Sequence, residues 1–189
     1  ILLGAKYHFD LTRPGIGLYG GRPYEAACPV VGLSLPVIQT RQIAAGEAVG
    51  YGCTWVAQQP TRVASLSGGY ADGLPRSLSN AAVLWDGDTP CPLIGRVSMD
   101  TITVDITHLP HIPRSLDILG PNQSPDQLAD VAGTIGYEIL TGISQRSDQL
   151  LICALLGIEA SYRIETSSPS AYCGGTTSGA SPGAPGGVK

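Results

Sequence analysis

Apolar and polar residues alternate strictly along Thr101-Ile102-Thr103-Val104-Asp105-Ile106-Thr107. That is the period-two signature of a strand with one face buried. From about Cys28 to Leu119 the chain repeats short apolar runs broken by turn residues. Ala81 to Trp85 is one such run, Asp86-Gly87-Asp88 supplies turn chemistry, and the apolar pattern resumes from Cys91 to Val97. This predicts a hairpin. Ser115 to Leu119 predicts one more short strand. The fold class that follows is mainly β, a barrel or sandwich of several short strands.

The pattern turns helical only after these strands. Ser124 can cap, Pro125 fits the first helical position, and Gln127 stands where a capping box needs it. Leu128, Val131 and Ala132 form one apolar stripe, and Gly133 ends it. A second short helix is predicted from Gly136 to Leu140. Residues 1–26 read as a strand, HFDLT, followed by a turn rich in glycine and proline, too short to be a domain. Residues 166–189 are Ser, Gly, Pro and Thr with almost no apolar content, the composition of disorder.

Composition narrows the function. The 189 residues include 11 basic and 15 acidic side chains, with no basic run. Neither a nucleic acid nor an anionic membrane is an expected partner, since both need clustered Lys and Arg. The longest lipid-like run, Leu150 to Ile158, is well short of the roughly 20 residues that span a bilayer. Five cysteines (Cys28, Cys53, Cys91, Cys153, Cys173) show no CxxC spacing. A reducing cytoplasm is the simpler expectation, with no disulfide framework and no metal. His8, His108 and His111 are scattered, and a metal site would need more ligands. Only Lys6 and Lys189 supply an amine side chain.

The candidate chemistry sits beside glycine or in turns. Tyr51 lies between Gly50 and Gly52, which clears space around the ring. Its ordinary reading is a tyrosine at a strand bend with its hydroxyl bonded to a carbonyl. As a base it would need a cation or donor network nearby, because tyrosine phenols ionise only near about pH 10. No such partner adjoins it in sequence. GGYADGLPR at 68–76 is good turn chemistry around Tyr70, ending in Arg76, whose fork suits a carboxylate. GRVSMD at 95–100 puts Arg96, Met99 and Asp100 at a strand end. Arg13-Pro14-Gly15-Ile16 is a common turn that can also aim N–H groups at an anion. GTIGYEILTG at 133–142 starts a helix near Tyr137, more often a packing position than a ligand.

Taken together, RPGIGLYG, AGEAVGYGCTW, GGYADGLPR, VLWDGDTPCPLIGRVSMD and GTIGYEILTG resemble the C-terminal half of alanine racemase, in family order from His8 to Ile143. The resemblance implies an N-terminal (β/α)8 barrel carrying pyridoxal 5'-phosphate on a lysine, then a mostly β domain. It also implies a homodimer in which each β domain completes the partner's active site. Residues 1–26 would hold the last barrel strand and linker, 27–148 the barrel-like β domain with one or two short helices, and 149–189 a divergent tail.

By the same resemblance Tyr51 is the catalytic base for L-alanine, opposite the barrel lysine. Arg13 faces the cofactor's ring nitrogen. Gly15, Ile16 and Tyr137 hold its phosphate, and the Met99 N–H meets the substrate carboxylate. Tyr70, Arg76 and Arg96 line the entrance corridor. The chain departs from the family in three ways. The barrel lysine is missing, the Arg-rich closing strand is replaced after Ser144, and Gly68 stands where an aliphatic residue is usual. A piece of a longer racemase, inactive by itself, is therefore expected. The alternatives are a stand-alone β binding module, or a racemase of another small amino acid such as serine.

Overall fold

The computed structural model describes residues 4–7, 9–11, 13, 15–23, 30–143, 149–153 and 160–164. The chain divides into two units, Ile1–Ser147 and Asp148–Lys189.

Among the described residues the first unit holds eight strands: β1 (Leu33–Ile43), β2 (Ala48–Val49), β3 (Trp55–Val56), β4 (Thr61–Ser67), β5 (Val83–Asp86), β6 (Thr89–Pro92), β7 (Thr101–Asp105) and β8 (Ser115–Leu119). Six of them form an antiparallel sheet in the order β6-β5-β8-β1-β4-β7, while β2 and β3 pair separately. Just past β6, Leu93 bridges Val104 of β7 and the Ile94 N–H donates to the Thr103 carbonyl at 2.9 Å. The two edges of the sheet therefore meet, and the sheet curls into a barrel-like closure. Closure satisfies edge backbone groups that would otherwise stay unpaired.

The alternation read from the sequence sets the inside face. In β7, Ile102 and Val104 are buried while Thr101, Thr103 and Asp105 are less so. Register pairs Ile102 with Leu66 and Val104 with Ala64 of β4, all four at 1% exposure or less. Leu84, Cys91, Leu116 and Ile118 complete that interior. Each large aliphatic side chain so buried contributes about 1.5–3 kcal/mol. The hairpin turns at Asp86–Thr89, and β8 spans the predicted residues.

Helix α1 (Pro125–Ala132) follows its sequence signals closely. The Ser124 hydroxyl accepts from the Gln127 N–H at 3.2 Å, and the Ser124 N–H donates to Gln127 Oε1 at 2.7 Å. Gly133 closes the helix with φ +74, a left-handed conformation that glycine adopts without cost. Leu128 and Ala129 pack into the main core, as does Ile139 of α2 (Gly136–Gly142). Just before α1, the buried Gln123 amide donates to the Ile118 and Val83 carbonyls, so its burial leaves no donor stranded.

One expectation changes. The described residues of HFDLT form no strand, and Phe9 and Leu11 are 79% and 78% exposed. A strand needs a neighbour's ladder, and none pairs with this segment among the described residues. Instead the region shows short turns at Ala5–Tyr7 and Ile16–Tyr19. In the second unit, within the span assigned above to a divergent tail, β9 (Gln149–Cys153) pairs antiparallel with β10 (Ala160–Ile164). The low-complexity residues 166–189 lie outside the described residues.

Candidate active site

Tyr51 sits on a one-turn excursion between β2 and β3. Gly50 and Gly52 both take φ +73, and Cys53 follows at φ +49. Such a run of left-handed backbone needs glycine at most of its positions, which explains the Gly-Tyr-Gly spelling. The turn lifts the phenol clear of the sheet, and Tyr51 is 73% exposed. Among the described residues its hydroxyl has no hydrogen-bond partner, so the carbonyl-bonded reading does not hold here. Beneath it, Ile43, Val49, Ala57, Val63 and Ile94 form a small apolar cluster of their own, with Trp55 at its side.

GRVSMD is a loop between β6 and β7, and its Arg96 joins Gly50, Tyr51, Ser98, Thr101 and Thr103 around a pocket of about 300 Å³. A methyl group on Gly50 would lie 3.0 Å from the Arg96 nitrogen, so the two backbones are in near contact. Within the loop, the Ser98 hydroxyl donates to the Thr101 carbonyl at 2.6 Å. Met99 is 53% exposed, and its N–H has no partner among the described residues.

The YADG turn locks onto this loop. Tyr70 N–H donates to the Ser98 carbonyl at 2.9 Å, and Ala71 N–H to the Met99 carbonyl at 3.0 Å. Gly69 lets the chains touch, since any side chain there would strike the Ser98 and Met99 carbonyls. Asp72 caps its own turn by accepting from the Gly69 N–H at 2.9 Å. On the other side Gly73 abuts the Gly142 carbonyl at the end of α2. Tyr70 and Arg76 are both exposed along this rim.

A second group forms at the opposite end of α2. A methyl group on Gly15 would lie 2.5 Å from Tyr137 Oη, so the tyrosine hydroxyl lies against the Gly15 backbone. Ile16 begins the adjacent turn, and Arg13 is exposed two residues before Gly15. The nine predicted residues thus fall into two assemblies. Tyr51, Arg96, Met99, Tyr70 and Arg76 belong to one, and Arg13, Gly15, Ile16 and Tyr137 to the other.

Sequence reading missed what fastens each assembly. Arg22 ties the Gly15 segment to α1: its N–H donates to Asp126 Oδ2 at 2.7 Å and its guanidinium grips Asp130 at 2.6 and 3.2 Å. That bond holds the Asp130 carboxyl below its ordinary range and raises Arg22. Asn80 and Ser79 hold the GRVSMD loop, with Gly95 N–H donating to Asn80 Oδ1 at 2.6 Å and Val97 N–H to Ser79 Oγ at 3.0 Å. Only the Asp126 position in a helix's first turn carried any sequence signal.

Among the described residues, the remaining His and Cys side chains gather into no metal-binding cluster. Cys91 Sγ lies 3.9 Å from His108 Nε2, and His111 pairs with Asp86 at 3.1 Å. Burial, with Asp86 and Asp105 nearby, pushes the Cys91 thiol up to about 11, which makes it a poor nucleophile. Among the described residues no three His, Cys, Asp or Glu side chains gather as metal ligands. Cys53 is exposed and Cys91 buried, both as free thiols. No helix among the described residues is long and apolar enough to cross a membrane.

The family model described as "Alanine racemase, C-terminal domain" matches residues 30–151. The chain belongs to the alanine racemase family. Alanine racemase from Cereibacter sphaeroides is 65% identical over 146 residues, which cover 77% of this chain and 42% of that protein. Its counterpart from Dinoroseobacter shibae is 63% identical over the same length. Among solved structures, the alanine racemase of Bartonella henselae with covalently bound pyridoxal phosphate is 38% identical. It superposes with a TM-score of 0.69 over 76% of this chain and 42% of that one. The chain therefore spans less than half the length of the alanine racemases it matches, and the shared part is the curled β domain with its two helices.

Proposed function

We propose that this chain is the β-domain portion of a pyridoxal 5'-phosphate-dependent alanine racemase, an isomerase that interconverts L- and D-alanine. The observation that carries the reading is the Tyr51 turn: a phenol raised between two left-handed glycines, unpaired among the described residues, and sharing a pocket with Arg96. A base must reach its substrate's hydrogen and be free to take it.

The residues present fit the cofactor's phosphate. Gly15 has no side chain where Tyr137 Oη approaches, and Tyr137 brings a donor to that spot. Gly15 and Ile16 would offer backbone N–H groups, and Arg13 would face the ring nitrogen. Arginine is donor-only and does not give up its proton, so that nitrogen would stay unprotonated. Bound pyridoxal phosphate draws electron density from Cα and makes its hydrogen removable. Tyr51 then takes that hydrogen from the L-enantiomer on one face, and returns one when D-alanine is the substrate. The Met99 N–H, without a partner among the described residues, would bind the substrate carboxylate. Tyr70, Arg76 and Arg96 would narrow the corridor to a side chain as small as alanine's.

The homodimer that the resemblance implies, in which the Tyr51 assembly serves the partner's cofactor, is the assembly we infer. The cofactor lysine would lie in a barrel outside this chain, since neither Lys6 nor Lys189 stands in a family position. A cytoplasmic enzyme supplying D-alanine for peptidoglycan is the physiological role that fits.

The test is a chimera in which this chain replaces the matched part of the Cereibacter sphaeroides alanine racemase. It should racemise alanine, whereas the 189-residue chain with pyridoxal phosphate should not. Tyr51→Phe in the chimera should slow deuterium wash-in at Cα of L-alanine by about 10²–10⁴, with wash-in to D-alanine much less affected. A folded chimera without racemase activity, or a Tyr51→Phe variant with normal exchange, would overturn the reading.

A further inference from the structure

One side chain hydrogen-bonds to both loops of the Tyr51 assembly. Asn80 precedes β5 and holds φ +58. Asparagine is among the few residues besides glycine that tolerate this region. From there its carboxamide reaches two ways. Oδ1 accepts from the Gly95 N–H at 2.6 Å, which fixes the amide's orientation, and Nδ2 then donates to Thr54 Oγ1 at 3.3 Å. Gly95 opens the loop that carries Arg96, Ser98 and Met99, and Thr54 closes the turn that carries Tyr51. Ser79 reinforces one side: its hydroxyl accepts from the Val97 N–H at 3.0 Å and donates to the Arg76 carbonyl at 2.5 Å.

We propose that Asn80 is a positioning residue that sets the Tyr51 turn against the Gly95–Met99 loop. The proposal rests on the reading of Tyr51 as the base, and deepens it. Asn80 is not among the residues lining the Tyr51 pocket and acts through the Gly95 backbone and the Thr54 hydroxyl that it joins. The need for it is physical. Tyr51 is 73% exposed, so packing against its ring does little to aim the phenol. Its direction depends on the backbone of residues 50–54, and three of those residues hold φ values near +50 to +73. A flexible turn would spread the phenol over several directions, and a misplacement of about 1 Å can cost on the order of 10²-fold in rate. The clip also fixes the spacing between Tyr51 and Met99, the two groups assigned to the Cα hydrogen and the carboxylate of one substrate.

The experiment uses the 189-residue chain with 3-fluorotyrosine at position 51. Asn80→Gly relaxes the left-handed backbone while deleting both hydrogen bonds. It should speed amide exchange at Gly95 about tenfold or more, and should shift and narrow the fluorine resonance. Asn80→Asp keeps the acceptor facing Gly95 but has no N–H for Thr54, so it should restore Gly95 protection while the fluorine signal stays shifted. An unchanged fluorine signal in Asn80→Gly overturns the proposal, whether or not Gly95 opens, because the clip would then be structural only. If Asn80→Gly does not fold, Thr54→Val decides the matter. It removes the second partner, and should move the fluorine signal while leaving Gly95 protected; no movement overturns the proposal. Neither readout involves substrate or cofactor. A negative result here therefore leaves the base assignment standing, and that assignment fails only in the wash-in experiment on Tyr51→Phe.

Discussion

Two apolar clusters hold the first unit together, and they differ in depth. The main one gathers twenty buried residues from the sheet, the turn at Arg76–Leu78 and both helices among the described residues. The one beneath Tyr51 has five, drawn from β1, β2, β4, the strand end after β3 and the loop after β6. Large cores resist local motion because many elements share each side chain. A five-residue cluster can seat a turn but leaves its orientation to hydrogen bonds. The lesson is that rigidity at the Tyr51 turn is polar, through Gly95, Asn80 and Thr54, while rigidity of the barrel is apolar.

The largest effect should come from the deep cluster. Leu66→Ala, at a fully buried position of β4 between β1 and β7, should cost about 2–5 kcal/mol in urea unfolding. A cost under about 1 kcal/mol would show that this cluster is not the stabilising core. Ile94→Val in the shallow cluster should cost about 0.5–1.5 kcal/mol. Its distinctive result is local: amide exchange should quicken across residues 50–54 and stay unchanged in β7 and β8. Uniform quickening would merge the two clusters into one cooperative unit.

A pH experiment separates the clusters again. Cys91 belongs to the deep cluster, and burial raises its thiol from 9.0 to about 11. The folded protein therefore keeps a proton that the unfolded chain releases, so stability should fall as pH rises from 9 to about 11. Cys91→Ala should flatten that part of the profile, and an unaltered slope would refute the assignment. A thiol reagent should label exposed Cys53 quickly and reach Cys91 only on unfolding. The smallest effect belongs to the rim. Arg22 and Asp130 are 60% and 57% exposed, so Asp130→Asn should leave the urea midpoint unchanged, with any residual difference vanishing in high salt.

Much of the barrel was legible because its signals are local. The alternation at 101–107, the Asp86-Gly87-Asp88 turn and the Ser124–Gln127 capping box each act within a few residues, and each appears in the fold. The phrases around Tyr51, Met99 and Tyr137 pointed to a family through resemblance. What they could not show was pairing across distance. Asn80 lies 15 residues from Gly95 and 26 from Thr54, and Arg22 lies 108 from Asp130. No periodicity encodes such contacts. The HFDLT segment failed for the opposite reason, since its local pattern is strand-like but no ladder partner exists among the described residues.

Helix α2 begins beside Gly15 and ends against Gly73. At about 1.5 Å per residue, the six residues from Tyr137 through Gly142 set a span on the order of 8 Å. The helix is thus the gauge of the domain, a fixed-length rod with the Tyr137 hydroxyl at one tip and the YADG turn at the other. Its length tolerates no adjustment: one inserted residue would swing Tyr137 by about 100° relative to Gly142. Substitutions along its outer face should be accepted freely, whereas insertions and deletions of a single residue should not.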